Sequence, residues 1–101
     1  MDFQDLASRL GIDEDDFMEL VELFVTTTRS DIEKIKNGIN NASSEEAAAA
    51  SHSIKGAAGN LGFDSIYELA KQMEMKAKSG DLEEFDALIA DLEAHVDAFP
   101  T

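Results

Sequence analysis

The chain has 101 residues, 44% of them hydrophobic, with six glycines, one proline and no cysteine, so disulfides and thiolate metal sites are excluded. A formal charge of −14, from 22 acidic against 8 basic residues, argues against nucleic acid or an anionic membrane surface as a partner. No apolar run approaches the roughly 20 residues that span a bilayer, and the start Met1-Asp2-Phe3-Gln4-Asp5 lacks the regions of a signal peptide, so one cytoplasmic domain over 1–101 is expected.

Few segments look β-rich, and the apolar residues recur with helical spacing. Phe3 to Leu10 reads as a short helix ended by Gly11. Asp13 is a good N-cap for a longer one, with Ile12 positioned to staple onto Phe17 and Glu14, Asp15 and Asp16 at the positive N-terminus. Its stripe is Phe17, Leu20, Val21, Phe24, Ile32, Ile35 and Ile39, and the pattern dies between Asn37 and Asn41. Ser43 opens a third helix, with Glu46 completing a capping box and an alanine run behind it. The third helix should run to Gly62. A fourth, capped by Asp64, buries Ile66, Leu69, Ala70, Met73 and Ala77, with Lys76 and Lys78 near its negative end and Gly80 closing it. A fifth, capped by Asp81, turns Phe85, Leu88, Ile89, Leu92, Val96 and Phe99 inward and stops at Pro100. Short connections favour antiparallel neighbours. The expected architecture is an all-α, up-down-up-down four-helix bundle with a short N-terminal capping helix.

One stretch departs from simple bundle logic: His52-Ser53-Ile54-Lys55-Gly56-Ala57-Ala58-Gly59-Asn60-Leu61-Gly62. At about 100° per residue, Ala47, Ala50, Ser51, Ile54, Ala58 and Leu61 share one side of the third helix, and His52, Gly56 and Gly59 the other. Each helical glycine is worse than alanine by roughly 0.8–1.0 kcal/mol, and a simple bundle does not need glycine on its outward face. A local rule broken without structural benefit points to function. Here the benefit is access: with no side chains at 56 and 59, and only Ala48 and Ala49 a turn away, another protein can approach the imidazole closely. A lone surface histidine is ordinarily just solvated. A neutral imidazole is nevertheless a competent nucleophile toward phosphorus, and Lys55, at i+3, can reach round to neutralise phosphoryl oxygens. No acidic cluster for a metal accompanies it. His95, beside the inward stripe of the last helix, reads as a partly buried bundle residue. Phe3, Leu6 and Leu10 either rim the docking face or cover the end of the bundle.

The run His52-Ser53-Ile54-Lys55-Gly56, followed by Ala57 to Gly62, closely resembles the signature of histidine-containing phosphotransfer (HPt) domains: His-x-[Ile/Leu]-Lys-Gly, then four residues, a hydrophobic position and often glycine. The resemblance covers essentially the whole chain. It implies a four-helix bundle that carries phosphate between receiver-domain aspartates in a multistep phosphorelay. The implied roles are phosphorylation of His52 on Nε2, Lys55 contacting the phosphoryl oxygens, and Gly56, helped by Gly59, admitting the receiver. The implied partners are response-regulator receiver domains and/or a sensor histidine kinase. The chain would be a monomeric phospho-carrier rather than an enzyme, with no cofactor or metal of its own and Mg²⁺ in the partner receiver. Many members carry a glutamine on the following helix that bonds the other ring nitrogen; the corresponding position here is Glu74, as in relatives fused to chemotaxis-type kinases. A carboxylate there would accept from Nδ1–H and leave Nε2 free. Lys71 and Lys78 lie on the same side, as partners for Glu74, as positive charge for an acidic receiver, or as solvated lysines. Two alternatives stand beside the freestanding relay protein. One is the phospho-accepting domain of a longer chemotaxis-type kinase, against which the start at Met1 and the end after Pro100 weigh. The other is a helical adaptor that is never phosphorylated.

Overall fold

The computed structural model describes residues 2–100, and its regular structure is helical throughout: α1 (Phe3–Leu10), α2 (Glu14–Asn40), α3 (Ser44–Leu61), α4 (Asp64–Lys78) and α5 (Phe85–Asp97). α3 packs on α2 and α4, and α5 packs on α4 and back on α2. The connections 41–43, 62–63 and 79–84 leave no room for a crossover, so each long helix reverses the direction of the one before it. The longest dimension, 42 Å, is the length of α2, which at 1.5 Å per residue is about 40 Å long.

The core follows the helical stripes. Phe17, Val21, Phe24, Ile32 and Ile35 come from α2; Ala47, Ala50, Ile54 and Ala58 from α3; Ile66, Leu69, Ala70, Met73 and Ala77 from α4; and Phe85, Ile89, Leu92 and Val96 from α5. At one end the packing turns aromatic. Phe3 stacks on Phe99 with ring centroids 6.1 Å apart and tilts against Phe17 at 5.8 Å. Phe63 meets Phe17, Phe24 and Phe99. Such pairs contribute roughly 0.5–1.5 kcal/mol each beyond the area they bury. This cluster ties α1, α2, the α3–α4 turn and the segment after α5 together. It decides the role of α1: Phe3 and Leu6 cover the bundle end, and only Leu10 stays exposed.

Three helix starts differ from expectation. Asp64 does not cap α4; Phe63 holds the cap position and has no side-chain cap bond. The reason is the tight turn. Gly62, in the left-handed region at φ 83°, ends α3, the Phe63 N–H donates to the Ala58 carbonyl at 2.9 Å, and the buried Phe63 ring is the hydrophobic anchor of that motif. Asp81 does not cap α5 either. Its carboxylate accepts from the Glu83 N–H at 3.0 Å and from Lys76 Nζ at 3.0 Å, so it organises the turn, and α5 begins only after Glu84. At α3 the capping box is half made: Ser43 Oγ accepts from the Glu46 N–H, while the Ser43 N–H donates to the Gly38 carbonyl instead.

That last bond marks where α2 and α3 come closest. A Cβ on Gly38 would stand 3.0 Å from both the Ala47 nitrogen and the Ser43 oxygen, which are backbone atoms and cannot step aside. Gly38→Ala should therefore destabilise the bundle by about 1–2 kcal/mol despite alanine's better helix propensity. A lower urea midpoint at unchanged slope is the check.

Candidate functional site

The site sits on the α3–α4 face. His52 lies on the side of α3 away from the core, and its side chain is 67% exposed. One residue before it, Ser51 is buried and donates its hydroxyl to the Ala47 carbonyl at 2.8 Å, satisfied within its own helix. Apart from Ile54, the buried positions of α3 are small, Ala47, Ala48, Ala50, Ser51 and Ala58, as are Ala70 and Ala77 on α4. Small residues let the two helices approach closely, and that approach delivers the Glu74 carboxylate from α4 to the imidazole.

Glu74 is the centre of the site. Its side chain is only 4% exposed, yet it receives three charge-assisted contacts: His52 Nδ1 to Oε2 at 2.8 Å, Lys55 Nζ to Oε1 at 2.7 Å and Lys78 Nζ to Oε2 at 3.2 Å. The hydrogen bond from Lys55 is the main reason its pKa falls from 4.5 to about 2, against the opposing effect of burial, with Lys78 and His52 adding to the fall. The same bond holds the Lys55 ammonium above its usual range, against partial desolvation, helped by the charges of Glu74 and Tyr67. An ionised carboxylate can only accept, so the proton of His52 is on Nδ1. Nε2 then carries the lone pair and points away from the carboxylate.

The neighbouring surface only partly matches the bare patch expected from sequence. Gly56 has open space where a Cβ would be, and Ala49 is exposed. Ala48 is not part of the patch: it is 8% exposed, because it is rotated toward the side of α3 that α4 covers. Gly59 is exposed but has a packing reason to be glycine, since a Cβ would lie 3.2 Å from the Tyr67 ring of α4. The reading that outward glycine lacks structural benefit therefore holds for Gly56 alone. Lys78 pairs with Glu74, while exposed Lys71 has no carboxylate partner among the described residues. His95 is half-buried and its Nδ1–H donates to the Asp91 carbonyl at 2.8 Å, an intrahelical role.

Two features have no local signature in the sequence. Tyr67 flanks the site from α4. A groove of about 380 Å³ runs between α2 and α3, lined by Leu20, Leu23, Phe24, Thr27, Ala57, Asn60 and Leu61, with Leu23 63% exposed. Leu20, which the helical spacing places on the α2 core stripe, is instead exposed at the groove's edge. The described residues include no cluster of three or more His, Asp or Glu able to hold a metal, and no helix long and apolar enough to cross a membrane.

The family model for the Hpt domain matches residues 19–100. The fold is similar to the crystal structure of histidine-containing phosphotransfer protein B from Pseudomonas aeruginosa PAO1, with a TM-score of 0.83 and 25% identity over 96% of this chain and 84% of that one. No curated protein matches.

Because its pKa lies below the ordinary value, Glu74 contributes stability that is complete above about pH 4.5 and is lost as pH falls through about 2. The wild-type bundle should exceed Glu74→Gln by on the order of 2–3 kcal/mol near pH 6. That difference should shrink steadily below about pH 4.5 and vanish near pH 2, as followed by urea denaturation of both proteins across the range.

Proposed function

The chain belongs to the Hpt domain family, the histidine phosphotransfer domains of two-component relays, and from that premise we propose that His52 Nε2 is the atom that takes and gives the phosphoryl group. The observation that carries this reading is the 2.8 Å bond from Nδ1 to a buried, ionised Glu74 on an otherwise exposed ring. It fixes the tautomer and turns the free lone pair to solvent.

The step follows from that arrangement. The Nε2 lone pair attacks the phosphorus of a receiver's aspartyl phosphate. The N–P bond forms as the P–O bond to the aspartyl carboxylate breaks, and the carboxylate leaves with the electron pair. Nδ1 keeps its proton, so positive charge develops on the ring, and the Glu74 carboxylate lies where that charge appears. Lys55, one turn after His52 on the same helix, is the cation we assign to the phosphoryl oxygens. The remaining requirements, in-line positioning and Mg²⁺, fall to the receiver. Transfer in the other direction runs through the same contacts. Gly56 and Ala49 form the surface across which the receiver approaches, with Gly59 at its α4 edge. The apolar groove at Ala57 and Asn60 adjoins it. The role asks for one domain over 1–101, which supplies the phosphoryl-carrying His52 and leaves the aspartyl carboxylate and Mg²⁺ to its partners.

A phosphorylated receiver mixed with this protein and Mg²⁺ should produce an acid-labile, alkali-stable phosphoprotein. His52→Gln should abolish the label while circular dichroism remains that of the folded bundle; a label that survives refutes the assignment. Gly56 tests the access argument from two directions. Gly56→Ala meets open space and should raise stability by about 0.5–1 kcal/mol. Gly56→Glu should retain helicity but slow transfer at least about tenfold, since bulk and negative charge then block the approach.

A further inference from the structure

Resting on that assignment of His52, we propose that Lys78 is a positioning residue for the phosphorylated state: it is the cation that stays on Glu74 when Lys55 turns to the phosphoryl group. In the unloaded protein two lysines share one carboxylate, and they differ in where they are rooted. Lys55 is on α3 with His52, bonds Oε1, and has a 24% exposed side chain. Lys78 is on α4, four residues after Glu74, and bonds Oε2, the oxygen that also takes the His52 proton. A glutamate preceding a lysine by four residues is the favourable helical orientation. This pair lies within one helix, so it survives any rearrangement of α3 side chains.

Lys55 cannot serve both anions equally. A phosphoryl group carries about −2 and would draw the only lysine rooted beside it. Glu74 would then be a buried carboxylate facing an adjacent dianion, with the imidazolium as its single partner. A carboxylate taken out of water without compensation is heavily penalised. With Lys78 retained the charges close: ring and Lys55 and Lys78 on one side, phosphoryl and Glu74 on the other, leaving the loaded site formally neutral. Without it the site carries an extra negative charge only in the loaded state. A glutamine at position 74 would need no such second cation.

The test measures how phosphate distributes at equilibrium between the chain and a receiver domain that loads the unsubstituted protein. Lys78→Met should shift the distribution toward the receiver by about fivefold. Lys78→Arg should restore it to within about twofold, because the guanidinium can make the same contact. Lys71→Met removes the same charge from the same helix without touching Glu74, and should stay within about twofold of wild type. Ring ¹⁵N shifts of His52 should match wild type in unphosphorylated Lys78→Met, where Lys55 still holds Glu74, and differ once the protein is phosphorylated. An unchanged distribution in Lys78→Met, or equal shifts in Lys71→Met and Lys78→Met, overturns the proposal. A wild-type chain that takes no label on His52 overturns the reading beneath it as well, and shows this before any lysine is changed.

Discussion

A carboxylate held almost out of water is unfavourable unless its charge is met, and the α3–α4 face is organised around meeting the charge of Glu74. Three donors from two helices converge on its two oxygens. The consequence reaches beyond local stability. An anion that can only accept dictates which ring nitrogen of His52 carries the proton toward it, and so which one faces away. A neutral amide at this position would orient the ring through its oxygen, but could not offer a full negative charge to an imidazolium.

This arrangement depends on how the bundle is packed. Alanines and a self-satisfied serine on α3, with Ala70 and Ala77 on α4, let the two helices lie close. The two-residue connection through Gly62 and Phe63 sets their relative position, and the aromatic cluster around Phe63 holds that turn against α1, α2 and the end of α5. The far side of the bundle is joined more loosely. Arg29–Asp97 at 2.9 Å and Lys36–Glu93 at 3.2 Å link α2 to α5, but such largely solvated pairs contribute only about 0–1 kcal/mol each. Register there comes chiefly from the buried stripe of α5.

The strongly acidic composition also acquires a local meaning. Four of the eight basic residues, Lys55, Lys71, Lys76 and Lys78, fall between the second half of α3 and the end of α4. The surface that presents His52 is therefore the least negative part of a chain with a formal charge of −14. An anionic group approaching the molecule meets less repulsion there than elsewhere on it.

The sequence alone determined the helices, their order, the core stripes except for Leu20, and the outward direction of His52, because each follows from residues within one or two turns of each other. It also carried the His-x-x-Lys-Gly signature, which is local by nature. Its errors are those of local reasoning applied across a turn. Asp64 and Asp81 look like caps, but the positions are decided by burial of Phe63 and by the pairing of Asp81 with Lys76. Ala48 and Gly59 look like bare surface, but they are covered or crowded by α4, which no single helical projection can include. Only the tertiary structure decided that Glu74 is buried, that Lys78 rather than Lys71 pairs with it, and that His52 is held by its Nδ1. Those facts depend on the distance between two helices, set by the side chains packed between them and by the turn that joins them.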